Sequence, residues 1–176
     1  MYATGMRRRE RGESLRMDEK AEVVRRVRML LASQRFATLS THQGGAPYAN
    51  LVAYTASDDL SHIVFSTMRS TRKFANLTSE PRVALLFDNR TNEETDLQEA
   101  IATTATGTAV VTAGAESERL ARGLVARHPH LSNFVSSPGC AIVRVDIDVY
   151  HTVVRFQNVY ELRMRAADGT TASSQE

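Results

Sequence analysis

Residues 65–88 read FSTMRSTRKFANLTSEPRVALLFD, and the rest of the chain is organised around this stretch. It has the form of a strand, a turn, a short helix and a second strand. Ser66 and Thr67 close the apolar run at 62–65. Ser70 stands where a helix N-cap is expected, ahead of helical residues 71–77. Pro81 stops that helix because it cannot continue the hydrogen-bonded ladder. Residues 82–87 return to the Val, Leu and Phe content of a strand. The unusual feature is electrostatic. Arg72 and Lys73 fall in the first turn, where a helix already presents partial positive charge. An anion placed there gains from the free backbone N–H groups, the dipole and both cations, with Thr67, Ser70 and Thr71 as further donors. A phosphate group suits this donor set. The alternative is that both cations only face solvent, as many charged surface positions do.

Length and composition narrow the field. A chain of 176 residues with 42% hydrophobic and 24% charged residues is long enough for one domain with a sizeable core. No apolar run reaches the length of a membrane span, and the Arg-rich start has no apolar stretch of a secretory signal. One cysteine, Cys140, excludes an intrachain disulfide framework, which fits a reducing cytoplasm. A net charge of +2 makes no general case for nucleic acid, and Arg7, Arg8, Arg9 and Arg11 are read as a solvated tail.

Outward from the central stretch the pattern is mostly β. Asp18 is placed to cap a helix reaching about residue 33, with Val23, Val24, Val27, Leu30 and Leu31 at helical spacing. Strands are expected at 36–41, 48–55 and 61–66, with a glycine hairpin turn at 43–47. Residues 89–98 read as a mobile polar loop. Residues 100–112 suit a long strand with a bend at Gly107, and 116–127 a surface helix. Residues 140–147 form a strand, and 150–162 one or two more. The expectation is therefore a mainly β fold: an antiparallel barrel of six or seven strands, two main helices and one short helix. It is organised as a basic segment at 1–17, a single domain at 18–164 and a tail at 165–176. No nucleotide-binding glycine motif occurs.

At this point the sequence resembles the pyridoxamine 5'-phosphate oxidase-like FMN-binding split barrels. The resemblance rests on Thr67, then Thr71-Arg72-Lys73, then Pro81-Arg82-Val83 and an apolar strand. It extends to Arg35-Phe36-Ala37-Thr38-Leu39-Ser40-Thr41 and Gly45-Ala46-Pro47-Tyr48, covering roughly residues 18–111. It implies a homodimer with FMN at the subunit interface. It implies that Arg72 and Lys73 hold the FMN phosphate, with Ser66, Thr67, Ser70 and Thr71 close by. It also implies that the strand Asn50-Leu51-Val52-Ala53-Tyr54 lies along the isoalloxazine. Gln157 and Arg155 are further candidates to reach the partner's flavin across a dimer interface. The oxidase itself has Arg and Lys where this chain has Asn50 and Thr55, and a substrate signature with tryptophan; this chain has no tryptophan. The residues thus support the cofactor site and not the vitamin B6 reaction.

The reading is an FMN-dependent oxidoreductase of unassigned substrate. The alternatives are a reductase using the deazaflavin F420 in the same groove, or a non-catalytic flavin- or haem-binding protein. Cys140 is read as a small hydrophobe at a strand start, and His128 and His130 as helix-end residues rather than metal ligands. His42, His62 and His151 are isolated in sequence, and no metal site is expected.

Overall fold

The computed structural model describes residues 21–154 and 158–164. Helix α1 covers 21–33, and Val23, Val27, Leu30 and Leu31 on one stripe are buried. Its expected cap, Asp18, lies outside the described residues. Strand β1 (Phe36–Gln43) turns into β2 (Ala46–Ala56) through Gly44 and Gly45, whose φ values are +56° and +78°. Two successive left-handed residues make the tight turn that matches strand twist, so both strands run closer to the glycines than the sequence predicts. Then follow β3 (His62–Met68), α2 (Arg72–Ser79), β4 (Arg82–Asp88), α3 (Asp96–Glu99), β5 (Ile101–Val111) and α4 (Gly114–Arg127). A 3₁₀ turn (Pro129–Leu131), α5 (Ser132–Val135), β6 (Cys140–Val154) and β7 (Asn158–Arg163) complete the described chain.

All seven strands belong to one antiparallel sheet of order β3-β2-β1-β4-β5-β6-β7, and a further β3–β6 pairing closes the first six into a barrel. Closure removes the free edges of those six strands, and β7 remains outside the barrel, paired only with β6 among the described strands. Strand β6 makes closure possible. Its start pairs with β3 from Met68↔Cys140 to His62↔Asp146, and its end pairs with β5 and with β7. The sequence suggests a break near residue 148. The structure keeps one strand of 15 residues instead, because Val149 pairs with Thr106 on one side and Arg163 on the other. The β5 ladder shifts register between Thr106 and Gly107, where a bend is expected. A Cβ on Gly107 would lie 2.2 Å from the Asp146 carbonyl oxygen, so this approach admits only glycine.

Alternation sorts the side chains. Leu39, Tyr54, Phe65, Leu85, Phe87 and Tyr150 fill the barrel, with α1 and Leu77 of α2 joining the same core. Each such buried side chain contributes on the order of 1.5–3 kcal/mol. Helix α4 packs outside it, over Val64 and Ile142, through Leu120. The loop at 89–98 is more structured than predicted. The Asp96 carboxylate accepts the backbone N–H groups of Thr91, Asn92 and Glu93 at 2.9, 2.7 and 3.3 Å, which folds it into α3.

Candidate functional site

The start of α2 is held by a hydroxyl relay. Thr71, not Ser70, is the N-cap; its Oγ1 accepts from Phe74 N at 3.4 Å and donates to the Met68 carbonyl at 2.8 Å. Buried Thr67 lies 3.0 Å away through its own Oγ1. The cap moves one residue because β3 runs on to Met68 and the turn closes through Thr71 N to Met68 O at 3.1 Å. The Thr71 hydroxyl proton is thereby committed inside the protein, whereas Ser70 is exposed.

Above this relay the helix presents charge. No acidic residue stands in its first turn. Phe74 N is capped, and as first-turn groups the N–H groups of Arg72 and Lys73 have no intrahelical acceptor. The Arg72 guanidinium lies over the Tyr48 ring at 4.8 Å and makes no hydrogen bond or ion pair among the described residues. Lys73 also has no carboxylate partner among them, and burial pushes its ammonium below the ordinary 10.5. Arg69, at the turn, lies over the Phe74 ring at 5.4 Å. Three cations thus stand within five residues, without an anionic partner among the described residues. Two free amides and the exposed Ser70 hydroxyl complete a donor set whose chemistry fits a phosphate dianion.

Strand β2 divides the other nominated residues between two faces. Val52 and Tyr54 point into the barrel and are buried; Tyr54 donates its hydroxyl to the Leu31 carbonyl at 2.8 Å. Asn50 shares their face, and both polar atoms of its amide are enclosed without a partner among the described residues. Leu51 and Ala53 take the outer face, where Leu51 is 69% exposed. Side-chain contact with a planar ring on that face therefore falls to Leu51 and Ala53, while Asn50, Val52 and Tyr54 present only backbone there. Ser66 and Thr67 divide in the same way, since Thr67 is buried with Phe65 and Ser66 alternates outward. Gln157 and Arg155 lie outside the described residues.

The remaining candidates have structural partners. His128 is the C-cap of α4, 7% exposed, with Nε2 2.8 Å from the Tyr54 carbonyl, which matches the helix-end reading. His42 pairs with Glu80 at 2.6 Å and His151 with Glu161 at 3.4 Å. Cys140 opens β6 as predicted but is half-buried, and burial raises its thiol above the ordinary value. No cluster of three or more metal-ligating side chains occurs among the described residues. No helix among them is long and apolar enough to cross a membrane.

The sequence profile of the family described as pyridoxamine 5'-phosphate oxidase matches residues 23–154. The chain belongs to that family. Solved structures share the family's fold with it. A haem-binding protein from Mycobacterium smegmatis superposes with a TM-score of 0.69 at 17% identity, over 77% of this chain and 55% of that one. The haem storage protein HutZ from Vibrio cholerae gives 0.64 at 11% identity, over 73% and 92%. An FAD-binding protein from Mesorhizobium loti gives 0.56 at 16% identity, over 70% and 88%. No curated protein matches the sequence significantly. As neighbours of this helix start, Tyr48, Arg69, Thr41 and Asn76 are not nominated by the sequence, although Thr41 and Tyr48 lie in stretches that carry the resemblance. Only Arg69 carried a local signal, as a third cation close to the Arg72-Lys73 pair.

Proposed function

We propose that this family member is an FMN-binding flavoprotein, an oxidoreductase of unassigned substrate that works as a homodimer with the flavin at the subunit interface. The observation that carries the reading is the group of cations at the start of α2, unmatched by any carboxylate among the described residues and flanked by two first-turn amides without an intrahelical acceptor. In this reading Arg72, Lys73 and the first-turn amides hold the phosphate, Ser70 adds a hydroxyl, and Thr67 and Thr71 fix the turn that aims them. Leu51 and Ala53 offer an apolar wall for the rings, and exposed Leu51 and Phe36 would be covered by the second subunit. Ser66 and Gln157 are proposed to border the cofactor. Bound flavin would supply hydride or electron transfer, while the chain binds, orients and shields it. The absence of tryptophan and of the oxidase's substrate signature argues against pyridoxamine 5'-phosphate as substrate. The single cysteine supports a cytoplasmic location.

The visible spectrum of protein purified with its natural content tests the cofactor. Flavin bands with FMN released on denaturation are expected. A Soret band would favour the haem alternative, for which His151, half-exposed beside Glu161 late in the chain, is a candidate ligand, and a deazaflavin band would favour F420. Sedimentation should give a dimer; a monomer that retains flavin would remove the shared-site part of the reading. Clean enzyme should form no useful amount of pyridoxal 5'-phosphate.

A further inference from the structure

Helix α2 has eight residues, too few to hold its own shape or position without tertiary contacts. Only Asn76 and Leu77 in it are buried. Burial of one leucine, with Phe74 packed beside it, is not directional, and the Thr71 relay ties only the first turn to the end of β3. Beyond that first-turn relay, directional contacts come from residues 72, 76 and 80, spaced four apart along one stripe. Arg72 rests on the Tyr48 ring at 4.8 Å. Asn76 Nδ2 donates to Thr41 Oγ1 at 3.0 Å, both side chains being buried. Glu80 Oε1 accepts from Gly44 N at 2.7 Å, and its Oε2 lies 2.6 Å from His42 Nδ1. All these partners belong to the β1–β2 hairpin, where Thr41 and Tyr48 stand directly opposite each other. Successive turns of the helix therefore meet one rigid hairpin.

We propose that Thr41, Asn76 and Glu80 are positioning residues that set the place of Arg72 and Lys73 by seating α2 on the β1–β2 hairpin. The proposal rests on the FMN reading above. A buried asparagine is a poor choice for stability alone. Its Oδ1 has no partner among the described residues, and a leucine would bury more apolar surface. What the amide provides is direction, since its bond to Thr41 exists at one rotation and one height of the helix. Displacement of a binding group by more than about 0.5 Å weakens a preorganised site. Loss of the seat should therefore be felt by the ligand's phosphate rather than by its rings.

FMN and riboflavin are titrated against the full chain as wild type, Thr41→Val, Thr41→Ser and Glu80→Ala. Wild type should prefer FMN strongly. Thr41→Val should reduce that preference by roughly 3–10-fold, the loss of about one hydrogen bond's worth of alignment, with riboflavin affinity little changed. Thr41→Ser, which keeps the hydroxyl, should restore the preference. Glu80→Ala, at the half-exposed end of the helix, should shift it the same way by about 2–3-fold and decides the case if Thr41→Val does not fold. Lowered melting temperature with an unchanged FMN preference would make the seat purely structural and overturn the proposal. A wild type that does not prefer FMN to riboflavin would overturn the phosphate-site reading itself, and this proposal with it.

Discussion

Strand β2 carries two tyrosines six positions apart, each with an arginine over its ring, and the two pairs behave differently. Arg127 lies over Tyr54 at 5.5 Å, and its Nη2 donates to the carbonyls of Leu31, Ala32 and Gln34 at 2.8, 3.0 and 2.6 Å. These are the orphan acceptors at the end of α1, so one guanidinium caps that helix and ties α4 to it. Arg72 lies over Tyr48 at 4.8 Å with its hydrogen bonds unmade among the described residues. The same ring contact thus accompanies a cation spent on the fold and one that, in the proposed reading, is left to bind the ligand. A cation seated on an aromatic face is placed without its N–H groups being consumed, which is how a binding arginine can be preorganised.

The contrast is broken most severely by Arg127→Ala. Loss of charge-assisted bonds to three carbonyls, of which Leu31 keeps the Tyr54 hydroxyl, should cost about 3 kcal/mol of stability, which lowers Tm by roughly 6–12 °C. FMN affinity per folded molecule should be unchanged in that variant; thermal denaturation and titration together measure both. Arg72→Ala and Lys73→Ala should show the reverse. Each is expected to weaken FMN about tenfold to somewhat over a hundredfold, while stability without ligand holds or rises slightly as a cation leaves the positive end of a helix. Riboflavin should bind all of these variants as it binds wild type, and equal FMN affinity throughout would remove the anion site.

Alkaline titration sharpens the comparison further. Lys73 must be protonated to hold a phosphate, and burial holds its pKa below 10.5. FMN binding should therefore weaken as pH rises through that lowered value, earlier than an exposed lysine would allow. The same shift makes the free protein gain stability as pH rises from the lowered value toward 10.5, because the unfolded chain binds more protons there. Lys73→Arg should flatten the alkaline limb of binding, which isothermal titration at several pH values would reveal. The smallest effect is expected at the ring. Tyr48→Leu should weaken FMN only about two- to fivefold, since an exposed cation–π contact is worth about 0.5–1 kcal/mol, and Tyr48→Phe should do nothing.

Much of this arrangement is legible in the residues. The strands, the glycine hairpin, the bend at Gly107, the stop at Pro81 and the charged first turn of α2 all follow from local preference and periodicity. Other features depend on which neighbours arrive. Thr67, Ser70 and Thr71 are all competent cap residues, and the length of β3 selects among them. Whether β6 breaks near residue 148 depends on pairing with β5 and β7. The roles of Arg127 and Asn76 lie in carbonyls and hydroxyls far away in sequence, which no local pattern announces.

Strand β6 also sets a condition on how the chain reaches its shape. His62 finds its opposite residue only at Asp146, so β3 keeps an open edge until the last third of the chain is available. Contacts that span so much sequence are slow to form, and an unpaired edge invites association with other chains in the meantime. Pulse-labelled hydrogen exchange during refolding should find the β3 amides that face β6 protected only together with those of β6. During synthesis on the ribosome, everything before β6 would have to wait as an unsealed sheet.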